Sequence, residues 1–426
     1  MDWETPNLTT LDNGLRVITY PTLGSTSVSV NVCVEAGSKY EALENAGLSH
    51  FIEHILFKGT KQWPTPEQLS GTIENCGGDI NAITSKEYTM YWSKVPYTEW
   101  KMATNVLLDM CINPLIDPEE INRERGVIHE ELRMYTDQPS YRADLGIEQI
   151  MFPDHPMGME IIGSHESLEE LNHQDIQQYF VSRYNPTKMI LTAVGNFQEA
   201  ELLNEVADAC KRWTCLDSHN FDVASMKHPE THQLITFDQE SDHTYINLGL
   251  KGLKLTDPLA PLLNLTNIIL GEGMSSRLFV KIRERLGLAY DISSSTSNYV
   301  DTGTWIINCS VKQSNCIAAI EAILDELHSV PESITYEELT NVKQFAKGKL
   351  LLTMEDTERL SSFLAIRTLL SGELLDFNTL IAQWDKFTLE ELHDNASVLI
   401  KNTPKFLSVG GTDISDHQFA LSSLLT

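Results

Sequence analysis

Lys188–Asn196, KMILTAVGN, reads as a buried strand ending at Gly195, and Lys405–Gly411, KFLSVGG, closes the second half of the chain in much the same way. The elements that precede each of them repeat. In the first half Leu15–Tyr20 is an apolar strand, and Val28, Val30, Val32 and Val34 alternate with smaller or polar residues as in a half-buried strand. Helices are expected at about 46–58 and 66–76, then a hairpin in GGDINAITSKEYTMYWSKV and a long helix from about 97. Asp117-Pro118-Glu119-Glu120 gives a clean helix start, with Asp as N-cap, Pro at the first helical position and an acid at N3. In the second half LITF and YINLGL lead into helices near 258–270 and 275–286, a hairpin (AYDISSSTSNYVDTGTWIINCSV) and a helix at 315–328. Two degenerate copies of roughly 200 residues predict an α+β fold of two homologous domains, each mixing strands with helices on one side. The expected division is 1–213 and 232–426, joined by a polar, non-periodic linker at 214–231.

Composition bounds the rest. The 426 residues are 42% hydrophobic and 21% charged, enough to bury a core. No apolar run reaches the ~18 residues needed to cross a bilayer. The start, MDWETPNLTT, has neither a basic n-region with an apolar stretch nor an Arg-rich, acid-poor composition. The expectation is a cytoplasmic chain, although an organelle presequence already removed would leave no trace. Seven cysteines form no CxxC pair, which fits free thiols in a reducing compartment. Sixty acids against 31 bases give a net charge of −29, which disfavours nucleic acid and anionic membranes as partners and favours basic or neutral ligands. An acidic substrate cavity and a plain solubility surface explain that charge equally well.

The sharpest motif is His50-Phe51-Ile52-Glu53-His54. Leu48, Phe51, Ile52, Ile55 and Leu56 fall at helical spacing, so the segment is an amphipathic helix ending near Gly59. His50 and His54, at i and i+4, share a face at about the separation at which two imidazoles grip one tetrahedral ion. Glu53 sits on the same side, able to reach a water at the metal but poorly placed as a third ligand. The order inverts the commoner HExxH. The bland alternative is two exposed histidines on a surface helix, and a real site needs a third ligand. ERGVIHEE (124–131) supplies one: Glu124 and Glu131, seven apart, share a helical face as a ligand and an orienting carboxylate would. On spacing alone Glu130 competes with Glu131, and a solvated acidic face explains the acids as well.

HFIEH, followed 77 residues later by Glu131, the last acid of ERGVIHEE, resembles the pitrilysin, insulin-degrading enzyme and mitochondrial processing peptidase family. LDNGLRVI, GLSHFIEHILFKGT, NAITSKEYT and LGEGMSSRLFVKIRERLGLAYDISS extend the likeness over nearly the whole chain. The resemblance implies a zinc endopeptidase with one Zn²⁺ per chain, held by His50, His54 and Glu131, with Glu124 as supporting acid and Glu53 as general base. It implies that each domain is a mostly antiparallel sheet flanked by helices. It assigns Arg283 and Tyr290 to a substrate-contacting pair on the second domain, and matches Asn81 and Ala82 to the residues before the strand along which peptide backbone is laid. Long family members fuse four such units; a chain of two, carrying both motif sets, implies a homodimer. The implied substrates are short unfolded peptides, presequence-like ones among them, cleaved in a closed chamber; the preference for basic ones is the expectation from net charge. Two rival readings remain: a catalytically silent homologue like the core subunits of the respiratory cytochrome complex, whose zinc motifs are typically broken, and a zinc hydrolase of small molecules.

Overall fold

Val28, Val30, Val32 and Val34 are all buried, but so are Ser29, Asn31 and Cys33 between them, and this second buried row shapes the fold. A computed structural model describes residues 4–211, 213, 226, 228–401 and 403–425. The chain forms two compact units. The first comprises Met1–Leu132, Glu160–Ala224 and Leu350–Leu380; the second comprises Arg133–Met159, Ser225–Lys349 and Ile381–Thr426.

The first unit holds a six-stranded sheet in the order β1 (Asn7–Thr10), β2 (Arg16–Pro21), β6 (Met189–Gly195), β3 (Ser27–Val34), β5 (Thr89–Pro96), β4 (Asp79–Thr84). Only β2 and β6 run parallel. The second unit holds five strands in the order β7 (Gln233–Asp238), β11 (Phe406–Gly411), β8 (Thr244–Lys251), β10 (Gly303–Val311), β9 (Ala289–Asn298), with only β7 and β11 parallel. The two closing strands, β6 and β11, occupy equivalent places. Each lies between one parallel and one antiparallel neighbour, and the sequence repeat is thus a repeat of topology.

Four helices of the first half are α1 (Leu48–Leu56), α2 (Pro66–Glu74), α3 (Trp100–Ile112) and α4 (Pro118–Thr136). Asp117 caps α4, its Oδ1 accepting from the Glu119 N–H at 2.7 Å. Helix α1 lies against the valine face: Val32 pairs with Tyr91, whose ring centroid is 6.3 Å from that of Phe57 at the end of α1. The opposite face carries Ser27 and Asn31, because strand side chains alternate. It is covered by the helix Thr357–Ser371, from the far half of the chain. Ser27 Oγ lies 3.2 Å from Thr357 Oγ1, and the Asn31 amide lies 2.9 Å from Ser362 Oγ and 3.1 Å from Ser361 Oγ.

The second unit mirrors this arrangement. Ile246, Leu248 and Leu250 of β8 face a core shared with the helices Ala260–Gly271, Cys316–Ser333 and Leu389–Ile400. Asn247 and Gly249 face α5 (Pro139–Met151), which comes from the first half. The Asn247 amide donates to Asp144 Oδ1 at 2.6 Å. Gly146 lets helix and sheet approach closely, since a Cβ there would sit 2.4 Å from the Phe237 ring.

Each half therefore supplies helices to one face of its own sheet, as expected, and lends one helix to the other sheet. The boundaries expected at 213 and 232 describe the sequence repeat but not the packing, because 133–159 lies in the second unit and 350–380 in the first. The cause is the doubly buried sheet, whose second face needs a cover that its own half lacks. Most of the expected linker, 214–231, lies outside the described residues. Among the described residues no helix is long and apolar enough to cross a membrane.

Candidate functional site

Helix α1 is short, and neighbouring residues fix where it points. Phe51, Ile52, Ile55 and Leu56 are fully buried along one side. At its start Gly47 adopts φ +99°, where an added Cβ would sit 2.4 Å from the Ile162 carbonyl oxygen. Having no side chain to cap the helix, Gly47 leaves that task to buried Glu41. Its carboxylate accepts from the N–H groups of Gly47 at 2.7 Å and Ser49 at 2.6 Å. Burial pushes the Glu41 carboxyl up, against the hydrogen bonds from Ser49 and Gly47. The Ser49 and Tyr179 hydroxyls lie 2.7 Å apart. Helix α4 buries Ile121, Glu124, Ile128 and Leu132 along one stripe. Arg125 anchors it by donating to the carbonyl oxygens of Leu168 and, at 2.8 Å, Leu171.

The two helices bring the expected ligands together. His54 Nε2 lies 3.3 Å and His50 Nε2 3.9 Å from the same Glu131 oxygen, Oε2. Tetrahedral zinc with bonds of about 2.0–2.2 Å separates its ligand atoms by roughly 3.3–3.6 Å, so the donors fit that ion with small adjustments. Among the described residues, His50, His54 and Glu131 are the one group of three His, Cys, Asp or Glu side chains with ligand atoms all within 4.8 Å of one another. It is Glu131, not exposed Glu130, that faces the imidazoles. Burial, with His54 close by, pulls the His50 pKa down to about 3, so its ring is in the neutral, metal-binding form near pH 7. His50 Nδ1 is buried and has no hydrogen-bond partner among the described residues.

Glu124 stands behind His54, 3.1 Å from its Nδ1, and pairs with Lys58 Nζ at 2.7 Å. Burial pushes the Glu124 carboxyl up, but hydrogen bonds from His54 and Lys58 and the Lys58 charge outweigh it and hold the group below its ordinary range. An ionised carboxylate only accepts, so His54 carries its proton on Nδ1 and offers the Nε2 lone pair to a metal. Glu124→Gln is expected to weaken zinc binding about 10–100-fold, measured by competition with a chelating indicator. Unchanged affinity would show that this contact does not orient His54.

Glu53, one residue from His54, is held by the end of β4, where Thr84 Oγ1 donates to Glu53 Oε2. Burial pushes the Glu53 carboxyl up, with Thr84 and His54 opposing and Glu131 adding to the shift. Asn81 and Ala82 lie within β4 rather than before a strand, and among the described residues this edge strand pairs only with β5. Sequence reasoning missed Glu41, Lys58 and Thr84. Lys58 had a local signal, its i+4 spacing from His54; Thr84 acts through a contact 31 residues away, and Glu41 accepts from N–H groups six and eight residues on, at no helical period.

In the second unit Arg283 and Tyr290 both sit on irregular backbone. Phe279–Arg285 is a π-helical turn, in place of the expected helix at 275–286, with the Leu286 N–H bonded to the Lys281 carbonyl. In the β9–β10 ladder Val311 pairs with Ala289 and Ser310 with Asp291, so Tyr290 is the extra residue of a bulge. Such irregularities re-aim side chains and cluster at functional sites. The Arg283 guanidinium lies 4.7 Å from the Phe279 ring centroid and 5.9 Å from that of Tyr290, whose side chain is 73% exposed.

Two histidines on one helix and a glutamate on another, with a carboxylate beside them, form a donor set that could hold one metal ion, in the inverted HxxEH order and on a duplicated α+β fold. The chain belongs to the insulinase family, peptidase family M16: the family profile described in those words matches residues 16–165, and one described as the peptidase M16 inactive domain matches 170–345. His50, Glu53, His54, Glu124 and Glu131 fall in the first match, Arg283 and Tyr290 in the second. The chain is 31% identical over 392 residues to an uncharacterised zinc protease of Bacillus subtilis, covering 92% of this chain and 94% of that one. Its fold is similar to that of a protease from Helicobacter pylori (TM-score 0.89, 21% identity, 96% and 99% of the two chains). It is also similar to a peptidase M16 inactive domain from Pseudomonas fluorescens (TM-score 0.87, 15% identity, 96% and 98%).

Proposed function

We propose that the protein is a zinc-dependent endopeptidase that hydrolyses short unfolded peptides. The observation that carries this is the convergence of His50 Nε2 and His54 Nε2 on Glu131 Oε2, with Glu53 on the same turn of α1. In this reading His50, His54 and Glu131 hold the ion, and the similarity to a zinc protease supports its identity. Zinc supplies Lewis acidity that polarises a carbonyl and acidifies water at neutral pH. Glu53 takes a proton from the attacking water and returns it to the leaving amine. Burial raises its affinity for that proton, which suits a base working near neutrality. Glu124 keeps His54 in the ligating tautomer. The open edge of β4 offers backbone groups around Asn81 and Ala82 to an extended peptide, by strand addition. Arg283 and Tyr290 donate hydrogen bonds to substrate as charge develops on the carbonyl oxygen.

We further propose that the chain acts as a homodimer with two equivalent sites, and that a closed chamber admits flexible peptides and excludes folded proteins. A reducing, cytoplasmic setting is supported by the six described cysteines, all unpaired. The charge of −29 supports a preference for basic peptides through long-range attraction.

Metal removal tests the core of the proposal. A quenched peptide of about 10–30 residues should be cleaved by the zinc-loaded protein, lose all cleavage on dialysis against a chelator, and regain it with one equivalent of Zn²⁺. Stoichiometric zinc with no turnover of any peptide would favour the silent, peptide-holding homologue instead. Equal turnover of acidic and basic peptides of matched length would remove the charge preference alone.

A further inference from the structure

Strand β4 joins two parts of the proposed machinery. Asn81 and Ala82 lie in its middle, along the open edge of the sheet, and its last residue, Thr84, donates to Glu53. We infer that Thr84 is a positioning residue for Glu53, holding the carboxylate in one orientation and tying that orientation to the strand on which the peptide lies. This rests on the endopeptidase reading and on Glu53 as its base.

Unaided, Glu53 would not keep its carboxylate in one place. Its side chain is long and rotatable, it carries a carboxylate close to that of Glu131, and it sits one residue from a metal ligand. Repulsion from Glu131 drives it away from the site, while a bound cation draws it in as a competing ligand. Both displacements lose the base. A hydroxyl donor on Oε2 opposes both, and it leaves Oε1 free to accept a proton. Proton transfer depends steeply on position, so loosening this contact acts on turnover.

Thr84 is itself well held. It pairs with Thr89 across the β4–β5 ladder, their hydroxyl oxygens 3.5 Å apart, and the Thr89 hydroxyl donates to the Ala36 carbonyl at 2.9 Å. The Ser85 N–H donates to the Tyr88 carbonyl at 2.8 Å, closing the hairpin just beyond it. Thr84 thus sits where a rigid rung of the sheet meets the catalytic helix. A peptide adding to the free edge of β4 would order this strand further, and the order would pass to Glu53 through one hydroxyl.

The test uses two variants of the full-length, zinc-loaded protein. Thr84→Val keeps the branched shape that suits a strand and removes the donor; Thr84→Ser keeps the donor. Thr84→Val should lower kcat about 10–100-fold with KM within about twofold of wild type, and Thr84→Ser should recover kcat to within about threefold. Zinc affinity and melting temperature should stay at wild-type values in both. Crystals of Thr84→Val should show the Glu53 carboxylate turned away from its wild-type orientation. Wild-type kcat in Thr84→Val would overturn the assignment, as would a Thr84→Ser variant as impaired as Thr84→Val. Full activity of Glu53→Gln, by contrast, would sink the underlying reading, so the two failures are distinguishable.

Discussion

Glu53→Gln is expected to retain one zinc ion per chain and to lose peptide hydrolysis by about 10³-fold or more, at the upper part of the range for removal of a general base. The substitution preserves the shape of the side chain and an oxygen able to accept from Thr84. It abolishes the capacity to take up a proton. Glu53 is not among the three converging ligand atoms, so its loss leaves the donor set intact. Zinc counted by native mass spectrometry and kcat on a quenched peptide separate the two effects. Wild-type turnover would remove Glu53 from the role of base, whereas loss of zinc would make it a ligand.

Glu131→Ala is expected to remove zinc. His50 and His54 alone would leave the ion with two neutral ligands and no compensating charge. A structural zinc site with four ligands is worth about 10–16 kcal/mol in all, so one ligand accounts for roughly a quarter of that and its loss costs affinity about 10²- to 10³-fold. The informative control is its neighbour. Glu130 is exposed, so Glu130→Ala should bind zinc and cleave peptide as the wild type does. Zinc per chain after exhaustive dialysis would distinguish them. Equal zinc in the two variants, or loss confined to Glu130→Ala, would contradict the ligand assignment.

The Glu130–Glu131 ambiguity shows how far the sequence carries. Apolar residues at 48, 51, 52, 55 and 56 fixed the face that α1 buries, and the face left over had to carry His50, Glu53 and His54. On α4 the two acids differ by one residue, about 100° around the helix, and helical spacing alone does not say which points at α1. Family resemblance chose Glu131; the geometry places its Oε2 at both imidazoles. Thr84 and Glu41 were invisible for a different reason. Thr84 acts through a hydrogen bond to a residue 31 positions away, and Glu41 through two, from N–H groups six and eight positions on; neither spacing leaves a periodic trace.

The exchanged helices were hidden by an assumption about strands. Ser29 and Asn31 alternate with valines, a pattern normally read as a solvent-facing row. Here that row is buried beneath Thr357–Ser371, whose own Ser361 and Ser362 satisfy the Asn31 amide. Asn247 beneath α5 repeats the device with Asp144. Polar residues on a strand say only that their partners are polar; whether those partners are water or a helix is decided elsewhere in the chain.

Diffraction at the zinc absorption edge from metal-loaded crystals tests the central claim most directly. One anomalous peak per chain is expected, about 2.0–2.2 Å from His50 Nε2, His54 Nε2 and a Glu131 carboxylate oxygen. A peak elsewhere, or coordination of the two imidazoles with Glu131 turned away and no other acid in its place, would contradict it.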